Sequence, residues 1–209
     1  MMAGEPAEFS PAAARLRIDD DLELLYWQPL LPAERAERIF RELLDALPWQ
    51  QPSVRIFGKR HPVPRLQSWH GDPEAEYRYS GMTLTPEPWT PALERVREAV
   101  SRVTGTSFNS VLANLYRDGL HTMGWHADDE PELGPDPEVA SVSLGTARDL
   151  ALRRRGTSRT HSTLRLEHNS LLWMPAGMQR DWQHALPRRK RAAGPRINLT
   201  FRRIGADSR

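Results

Sequence analysis

The stretch that decides the fold is Arg196-Ile197-Asn198-Leu199-Thr200-Phe201-Arg202, in which polar and apolar side chains alternate without a break. Side chains two residues apart in an extended strand point to the same face of the sheet. The alternation therefore predicts a strand with one apolar face for the core and one polar face that carries two guanidinium groups, an amide and a hydroxyl. The simplest interpretation is a strand with one side in water.

The polar face of this strand has a second interpretation, in which it lines the interior of a β-barrel. Barrel interiors are normally filled by side chains, and a buried charge without a partner is costly. An anionic ligand would then be needed inside. Arginine binds carboxylates through two parallel hydrogen bonds, so an organic diacid would suit this face.

A possible metal site begins with His126-Ala127-Asp128, where an imidazole and a carboxylate stand two residues apart. In an extended strand they project from the same face. His184, which comes shortly before the arginine-bearing strand, supplies a second imidazole. Two histidines and one carboxylate bind Fe(II) on three corners and leave the other positions open. A lone His-x-Asp is common by chance, but the combination with His184 and the later strand is far less so.

Together these residues resemble the AlkB family of Fe(II)/2-oxoglutarate dioxygenases, which repair alkylated nucleic acid. The likeness covers residues 54 to 204 and is greatest to the duplex-DNA-acting AlkB homologue. The stretches that carry it are Asn114-Leu115-Tyr116, His126-Ala127-Asp128-Asp129-Glu130, Ser141-Val142-Ser143-Leu144-Gly145, His184 and Arg196 to Arg202.

The resemblance implies an α+β, mainly β fold: a double-stranded β-helix (jelly roll) with supporting N-terminal helices and a nucleotide-recognition hairpin region. Many short strands after a helical front favour the same fold. Residues 1–20 lack periodicity and predict a flexible N-terminal arm. Residues 21–209 would form a single dioxygenase domain, with a nucleotide-recognition lid at 53–81 and a jelly-roll catalytic core at 108–204.

Local signals place two helices and several strands. Pro32 and Pro48 bracket one helix, and Thr90 and Gly105 bracket another as N-cap and C-cap. A short strand is predicted at Leu22–Tyr26. The later predicted strands are Val111–Tyr116, Val139–Gly145, Leu150–Arg153, Thr163–Leu166 and Ser170–Met174.

The resemblance implies a role for each matching residue of the reaction centre. His126, Asp128 and His184 would bind Fe(II), and Arg196 would pair with the distal carboxylate of the cosubstrate 2-oxoglutarate. The other residues expected to bind the cosubstrate are Asn114, Tyr116, Asn198, Thr200 and Arg202.

The resemblance also implies a base pocket and a finger. Ile56-Phe57-Gly58 matches a finger whose phenylalanine fills the gap left by a flipped base. Tyr77 and Tyr79 match an aromatic pair that binds the damaged base, although the duplex-acting homologue has phenylalanine at the second position. Asp129 and Glu130 would lie beside the base, which alkylation makes cationic. Spacing alone favours a surface hairpin with Phe57 in the core, and it leaves the tyrosines open as ordinary core aromatics.

The charge of the chain is unevenly distributed. The formal net charge of the 209 residues is only +2. Residues 148–209 nevertheless hold 15 Lys and Arg against 4 Asp and Glu, whereas residues 1–147 hold 14 against 23. A basic half favours a polyanion partner, or else a solvated arginine-rich surface. Residues 153–160 form a basic loop, shorter than in the duplex-acting homologue, and residues 188–191 form a second basic run.

Composition sets the remaining limits. The chain is 39% hydrophobic and 27% charged and has no cysteine, which excludes disulfides and thiolate metal sites. No signal peptide and no membrane span are predicted. We expect a monomeric, cytoplasmic protein that associates with the nucleoid through its substrate.

The predicted function is oxidative demethylation of N1-methyladenine and N3-methylcytosine in duplex and single-stranded DNA, with release of formaldehyde and succinate. One alternative is a hydroxylase of RNA or of single strands, which the short basic loop favours and the finger at Phe57 disfavours. Another is a catalytically dead barrel that only binds nucleic acid. The intact metal triad and Arg196 argue against this last alternative.

Overall fold

The structure, a computed structural model, describes residues 9–56, 59–79 and 82–205, and for residues 54–56, 59, 77–79 and 82–84 it describes the backbone alone. Within these ranges the chain forms fifteen strands and three α-helices. The strands are β1 (Ala13–Asp19), β2 (Leu22–Trp27), β3 (Ser53–Ile56), β4 (Lys59–Pro62), β5 (Leu66–Gly71), β6 (Tyr77–Tyr79), β7 (Met82–Leu84), β8 (Ser110–Tyr116), β9 (Met123–His126), β10 (Val139–Gly145), β11 (Arg148–Arg154), β12 (Ser162–Leu166), β13 (Ser170–Met174), β14 (Trp182–Leu186) and β15 (Arg196–Arg202). The helices are α1 (Ala33–Ala46), α2 (Pro91–Thr104) and α3 (Met178–Asp181), and Pro131–Leu133 form a 3₁₀ turn.

Two antiparallel sheets form the body of the protein. The major sheet has seven strands in the order β1-β2-β13-β10-β15-β8-β5, and the minor sheet has four in the order β12-β11-β14-β9. This mostly β architecture is consistent with a jelly roll. β15 lies inside the major sheet, where it pairs with β10 on one side and β8 on the other. Its register sets Asn198 opposite both Ser143 and Asn114.

Helices α1 and α2 cover one face of the major sheet. The apolar side chains Ile197, Leu199 and Phe201 of β15 are fully buried in the core that these helices share with the sheet. The predicted boundaries of both helices are confirmed. The Thr90 hydroxyl accepts a hydrogen bond from the Leu93 amide, and Gly105 ends α2 in the left-handed conformation.

The apolar face of β15 therefore points to the helices, and its polar face points to the minor sheet. This is the interior arrangement that the sequence offered as its second interpretation. A strand with one side in water is excluded, because Arg196, Asn198 and Thr200 are all buried.

The predicted N-terminal arm is wrong for residues 13–19. These residues form β1, the edge strand of the major sheet, and pair with β2 through a turn that follows Asp19. Leu16 and Ile18 alternate with charged residues. They pack against a second cluster of buried apolar side chains, which includes Leu24 and Trp182. Two apolar positions were too few to reveal this strand. The sheet that carries the site is accordingly wider than residues 108–204, because β1, β2 and β5 belong to it.

Two short pairs of strands stand apart from the main sheets in the region of the predicted lid at 53–81, with β7 just beyond its end. β3 pairs with β4, and β6 pairs with β7. The predicted Phe57 and Gly58 fall in the chain between β3 and β4 and lie outside the described residues. No helix in the described part of the chain combines the length and apolar composition that a membrane span would need.

Candidate active site

A cavity lies between the two sheets, and both sheets contribute polar side chains to it. The major sheet supplies residues from β8, β10, β13 and β15, and the minor sheet supplies residues from β9, β11, β12 and β14. The lining residues that the sequence singled out are His126, Asp128, His184, Asn114, Tyr116, Arg196, Asn198, Thr200 and Arg202. The structure thus brings the whole predicted reaction centre together.

Three of these side chains form a potential metal site. One ligand atom from each of His126, Asp128 and His184 lies within 4.8 Å of the other two. The two imidazoles come from paired strands, since His126 of β9 is opposite His184 of β14. Nδ1 of His126 donates to the Gly124 carbonyl at 2.9 Å, which leaves Nε2 as the lone-pair donor for a metal.

The electrostatics of the triad suit a divalent cation. Burial, together with the charge of His126, lowers the pKa of His184 to about 3, so the imidazole is neutral at neutral pH. Burial raises the pKa of Asp128, but the charges of Arg202, His184 and His126 outweigh it and bring the pKa below its usual value. The site therefore offers a neutral nitrogen and a carboxylate anion, both in the protonation states that metals require.

Asp128 is fixed from both sides although it does not belong to a strand. β9 ends at His126, so the expectation that one extended strand presents both residues is wrong. The amide of Asp128 donates to Oε1 of Gln179 at 3.0 Å, and Arg202 donates to Oδ1 of Asp128. Oδ2 is buried without a hydrogen-bond partner. That free oxygen is the atom Asp128 can give to a metal.

Arg196 is a buried cation at the Tyr116 side of the cavity. Its side chain is 2% exposed, and in the described part of the chain it makes no ion pair with an acid. Nη2 donates to the Ser143 hydroxyl at 2.9 Å, while Nε has no partner. Its guanidinium carbon lies 5.3 Å from the centre of the Tyr116 ring. Burial lowers the pKa of Arg196 to about 10, so it keeps its charge at neutral pH.

Asn114 is oriented by two residues that sequence reasoning missed. Its amide oxygen accepts from Nε of Arg65 at 3.0 Å and from Nε2 of Gln67 at 2.9 Å. This leaves the amide nitrogen as the group that Asn114 can offer to the cavity. The sequence did contain a signal for this pair, since Arg65 and Gln67 are two residues apart, as side chains on one face of a strand are. Gln67 lies on β5 and pairs directly with Asn114.

Asn198 and Thr200 form a hydrogen-bonded row with the neighbouring strand. Nδ2 of Asn198 donates to the Ser141 hydroxyl at 2.8 Å and to the Val142 carbonyl at 3.1 Å. Oδ1 of Asn198 accepts from the Thr200 hydroxyl at 3.1 Å. Ser141 belongs to a stretch that resembles the family, and its hydroxyl accepts a hydrogen bond from the amide of Asn198.

The residues present fit both groups that the resemblance implied. Two histidines with a carboxylate suit Fe(II). A buried guanidinium without an acidic partner suits the carboxylate of a small diacid. The free Oδ2 of Asp128 and Nε of Arg196 mark the two ends of this arrangement.

Comparison with known proteins decides the family. Residues 23–202 match the description "2OG-Fe(II) oxygenase superfamily". The chain belongs to that family. It is therefore a dioxygenase that uses Fe(II) and 2-oxoglutarate, and His126, Asp128 and His184 are the cluster that can hold the metal.

Similar proteins and structures agree with this assignment. The chain is 47% identical to "DNA oxidative demethylase ALKBH2" of Mus musculus over 179 residues, which are 81% of this chain and 75% of the relative. It is 37% identical to "Alpha-ketoglutarate-dependent dioxygenase alkB homolog 3" of Bos taurus over 185 residues, 84% of this chain and 64% of the relative. "The structure of OsALKBH1" superposes with a TM-score of 0.59 over 86% of this chain and 96% of the other at 15% identity, which shows a shared fold.

The residues predicted to contact the base are only partly placed. The backbones of Ile56, Tyr77 and Tyr79 lie in β3 and β6.

The two predicted acids have different surroundings. Asp129 is exposed and pairs with Arg155 at 2.6 Å, whereas Glu130 has one buried oxygen without a partner. Glu130 is thus the acid that retains an unused acceptor.

The basic loop at residues 153–160 is largely engaged within the protein. Arg153 donates twice to Gln183 and lies over the Trp125 ring. Arg154 pairs with Asp19 at the end of β1 and with Asp21 in the turn that follows. Arg155 bonds the Gln179 carbonyl as well as Asp129. Arg153 and Arg155 thereby connect the loop to the residues next to His184 and Asp128.

We expect that Asp128→Ala reduces product formation to the background of a reaction without iron while DNA affinity stays near that of the wild type. The substitution removes the only anionic member of the triad, and Asp128 is only 2% exposed, so it offers almost no surface to DNA. Iron content after dialysis and formaldehyde release measure the first effect, and a fluorescence-anisotropy titration with DNA measures the second.

The control for this substitution is Asp45→Ala, which removes an exposed acid from α1. It should change neither iron content nor turnover. Retained iron-dependent turnover in the Asp128 variant would contradict the assignment of the triad.

Proposed function

We propose that this protein is a DNA repair dioxygenase that removes alkyl groups from damaged bases, chiefly N1-methyladenine and N3-methylcytosine. The observation that carries the proposal is the polar cavity of the family's fold, with the histidine–aspartate triad on one side and a buried, acid-free Arg196 on the other. The proposal is supported by several relatives named DNA oxidative demethylase that are 45–47% identical to this chain.

The side chains around the cavity divide the work of cosubstrate binding. Arg196 would bind the distal carboxylate of 2-oxoglutarate, with Tyr116 beside it and the amide nitrogen of Asn114 directed by Arg65 and Gln67. Asn198 and Thr200 hold this part of β15 against β10. Both ends of the cosubstrate are thereby oriented before the reaction, which lowers the entropic part of the barrier.

Arg202 has a positioning role for the metal ligand. It donates to one oxygen of Asp128 and leaves the other for the ion. Fe(II), once bound, supplies the oxygen chemistry that hydroxylates the alkyl carbon on the base nitrogen. The hydroxymethyl group then leaves as formaldehyde, and 2-oxoglutarate is converted to succinate.

The substrate side of the proposal assigns the lid to base recognition. Ile56, Phe57 and Gly58 would form the finger, and Tyr77 and Tyr79 would bind the flipped base by stacking and hydrogen bonding. Glu130, with its unpartnered buried oxygen, is the better placed of the two acids to face a cationic base. A DNA substrate would keep the protein, as a monomer in the cytoplasm, at the nucleoid.

A second candidate is a dioxygenase that prefers single strands or RNA. The observation in its favour is that Arg153, Arg154 and Arg155 already have partners within the protein. A loop whose cations are engaged offers less to the opposite strand of a duplex, and phosphate contacts dominate the affinity for DNA.

The deciding experiment is formaldehyde release from oligonucleotides that carry one N1-methyladenine, supplied as duplex DNA, single-stranded DNA and single-stranded RNA. The reaction contains Fe(II) and 2-oxoglutarate at a fixed salt concentration. We expect turnover on DNA and coupled formation of succinate. Succinate without formaldehyde from any methylated substrate would contradict a role in demethylation.

Arg196→Leu should raise the KM for 2-oxoglutarate far more than it changes DNA affinity. Hydrogen bonds to charged groups contribute about 1.5–3 kcal/mol, and this corresponds to a rise of roughly tenfold to a hundredfold. The measurement is initial rate against 2-oxoglutarate concentration. Arg196→Lys is the matched control that keeps the charge and should show a smaller rise, whereas an unchanged KM in both variants would mean that the cosubstrate binds elsewhere.

Phe57→Ala should impair repair of duplex DNA and barely affect the same lesion in a single strand. Extracting a paired base costs a few kcal/mol, and an aromatic ring that fills the vacated stack offsets this cost only in a duplex. Base–aromatic stacking contributes about 1–3 kcal/mol, so duplex kcat/KM should fall roughly tenfold to a hundredfold. Phe57→Leu, which keeps bulk without the ring, is the control. An equal loss on both substrates would make Phe57 a folding residue.

A further inference from the structure

Arg148 is a buried cation without an acidic partner in the described part of the chain. It begins β11, and its side chain is only 1% exposed. Nη1 donates to the Asp118 carbonyl at 3.0 Å, and Nη2 donates to the carbonyls of His121 at 3.0 Å and Pro187 at 2.8 Å. Nε has no partner. A buried charge that only filled space would be unfavourable compared with an apolar side chain of the same volume.

The three carbonyls belong to the two connections that enter the reaction centre. Asp118 and His121 lie between β8, which carries Tyr116, and β9, which carries His126. Pro187 follows β14 directly and starts the connection to β15. One guanidinium group therefore joins the connection between β8 and β9 to the end of β14.

The backbone closes the same junction. The amide of Gly119 donates to the Ala192 carbonyl at 3.0 Å, and the amide of Arg189 donates to the Gly119 carbonyl at 2.8 Å. A Cβ atom at position 119 would lie 1.8 Å from the Arg189 carbonyl oxygen, so only glycine permits this approach. The two connections are thus held together as one unit, with Arg148 beneath them.

Arg148 also acts on the aromatic wall of the cavity. Its guanidinium carbon lies 5.9 Å from the centre of the Tyr116 ring, and that of Arg196 lies 5.3 Å from the same centre. Two buried cations therefore flank one ring. The charge of Arg148 disfavours that of Arg196, and an anion bound at the Tyr116 end of the cavity would be attracted by both.

We propose that Arg148 is a positioning residue for the cosubstrate. Its fork of donors fixes the two connections, and its charge raises the affinity of the Tyr116 end of the cavity for the distal carboxylate of 2-oxoglutarate. The inference rests on the proposed assignment of Arg196 and Tyr116 to that carboxylate. It predicts an effect on cosubstrate binding that is separate from any effect on stability.

The test compares Arg148→Met, which keeps length and apolar bulk, with Arg148→Lys, which keeps the charge but loses the fork. Calorimetric titration of the Mn(II)-loaded protein gives the Kd of 2-oxoglutarate without turnover. Arg148→Met should raise this Kd and the KM by about tenfold or more, with kcat at saturating 2-oxoglutarate and DNA affinity nearly unchanged. Arg148→Lys should restore much of the affinity. Arg15→Met, at an exposed arginine of β1, is the control and should have no effect.

Other outcomes are equally decisive. A lowered Tm with an unchanged Kd in Arg148→Met would overturn the proposal and leave Arg148 as a structural clamp. If that variant does not fold, Arg148→Gln, which keeps a side-chain donor but loses the charge, decides: a raised Kd at an unchanged Tm supports the proposal, and an unchanged Kd overturns it. Arg196→Leu is titrated in parallel. Normal binding by that variant would refute the cosubstrate site itself, whereas weakened binding there and normal binding in Arg148→Met would refute this inference alone.

Discussion

The rest of the structure depends on the burial of the polar face of β15 between the two sheets. A central strand carries an arginine at each end of its inward face, and burying these charges under a second sheet is costly unless each has a partner of opposite charge. At one end Arg202 pairs with the carboxylate of Asp128. Arg196, at the other end, has no acidic partner among the described residues and contacts the Ser143 hydroxyl and the face of Tyr116. That imbalance defines a cavity built for an anion.

The charges around the cavity are separated along its length, with the metal-binding triad at one end and a group of arginines at the other. The triad contributes the carboxylate of Asp128 beside two imidazoles, of which that of His184 is neutral because burial lowers its pKa, and this set attracts a dication. The opposite end gathers Arg196, Arg148 and Arg65 around Tyr116, with burial lowering the pKa of all three. A diacid that also touches the metal would neutralise both ends at once. Each charge alone would be costly in a dry interior, whereas the filled site distributes them between partners.

The sequence predicted the parts of the site that follow from the alternation of side chains along a strand. It did not predict those that depend on tertiary contacts. The alternation of β15 predicted the strand and its two faces, and the residues at their ends predicted both long helices. Asp128 was assigned correctly for the wrong reason, because Gln179 places it after its strand has ended. Gln179 and Arg148 are distant in sequence from the groups they orient, and neither belongs to a motif. No local pattern reports which carbonyl a buried arginine will meet.

The basic half of the chain is less available to a polyanion than its composition implies. Two of its cations, Arg148 and Arg196, are buried in the interior. Others are paired within the protein, including Arg154 with the acidic turn after β1 and Arg189 with Asp149. Exposed ion pairs contribute little to stability and exchange readily, so phosphates can compete for these side chains. DNA phosphates would then bind by replacing the acidic partners of these arginines. The acidic residues within residues 1–147 would thereby determine how much cationic surface a nucleic acid meets.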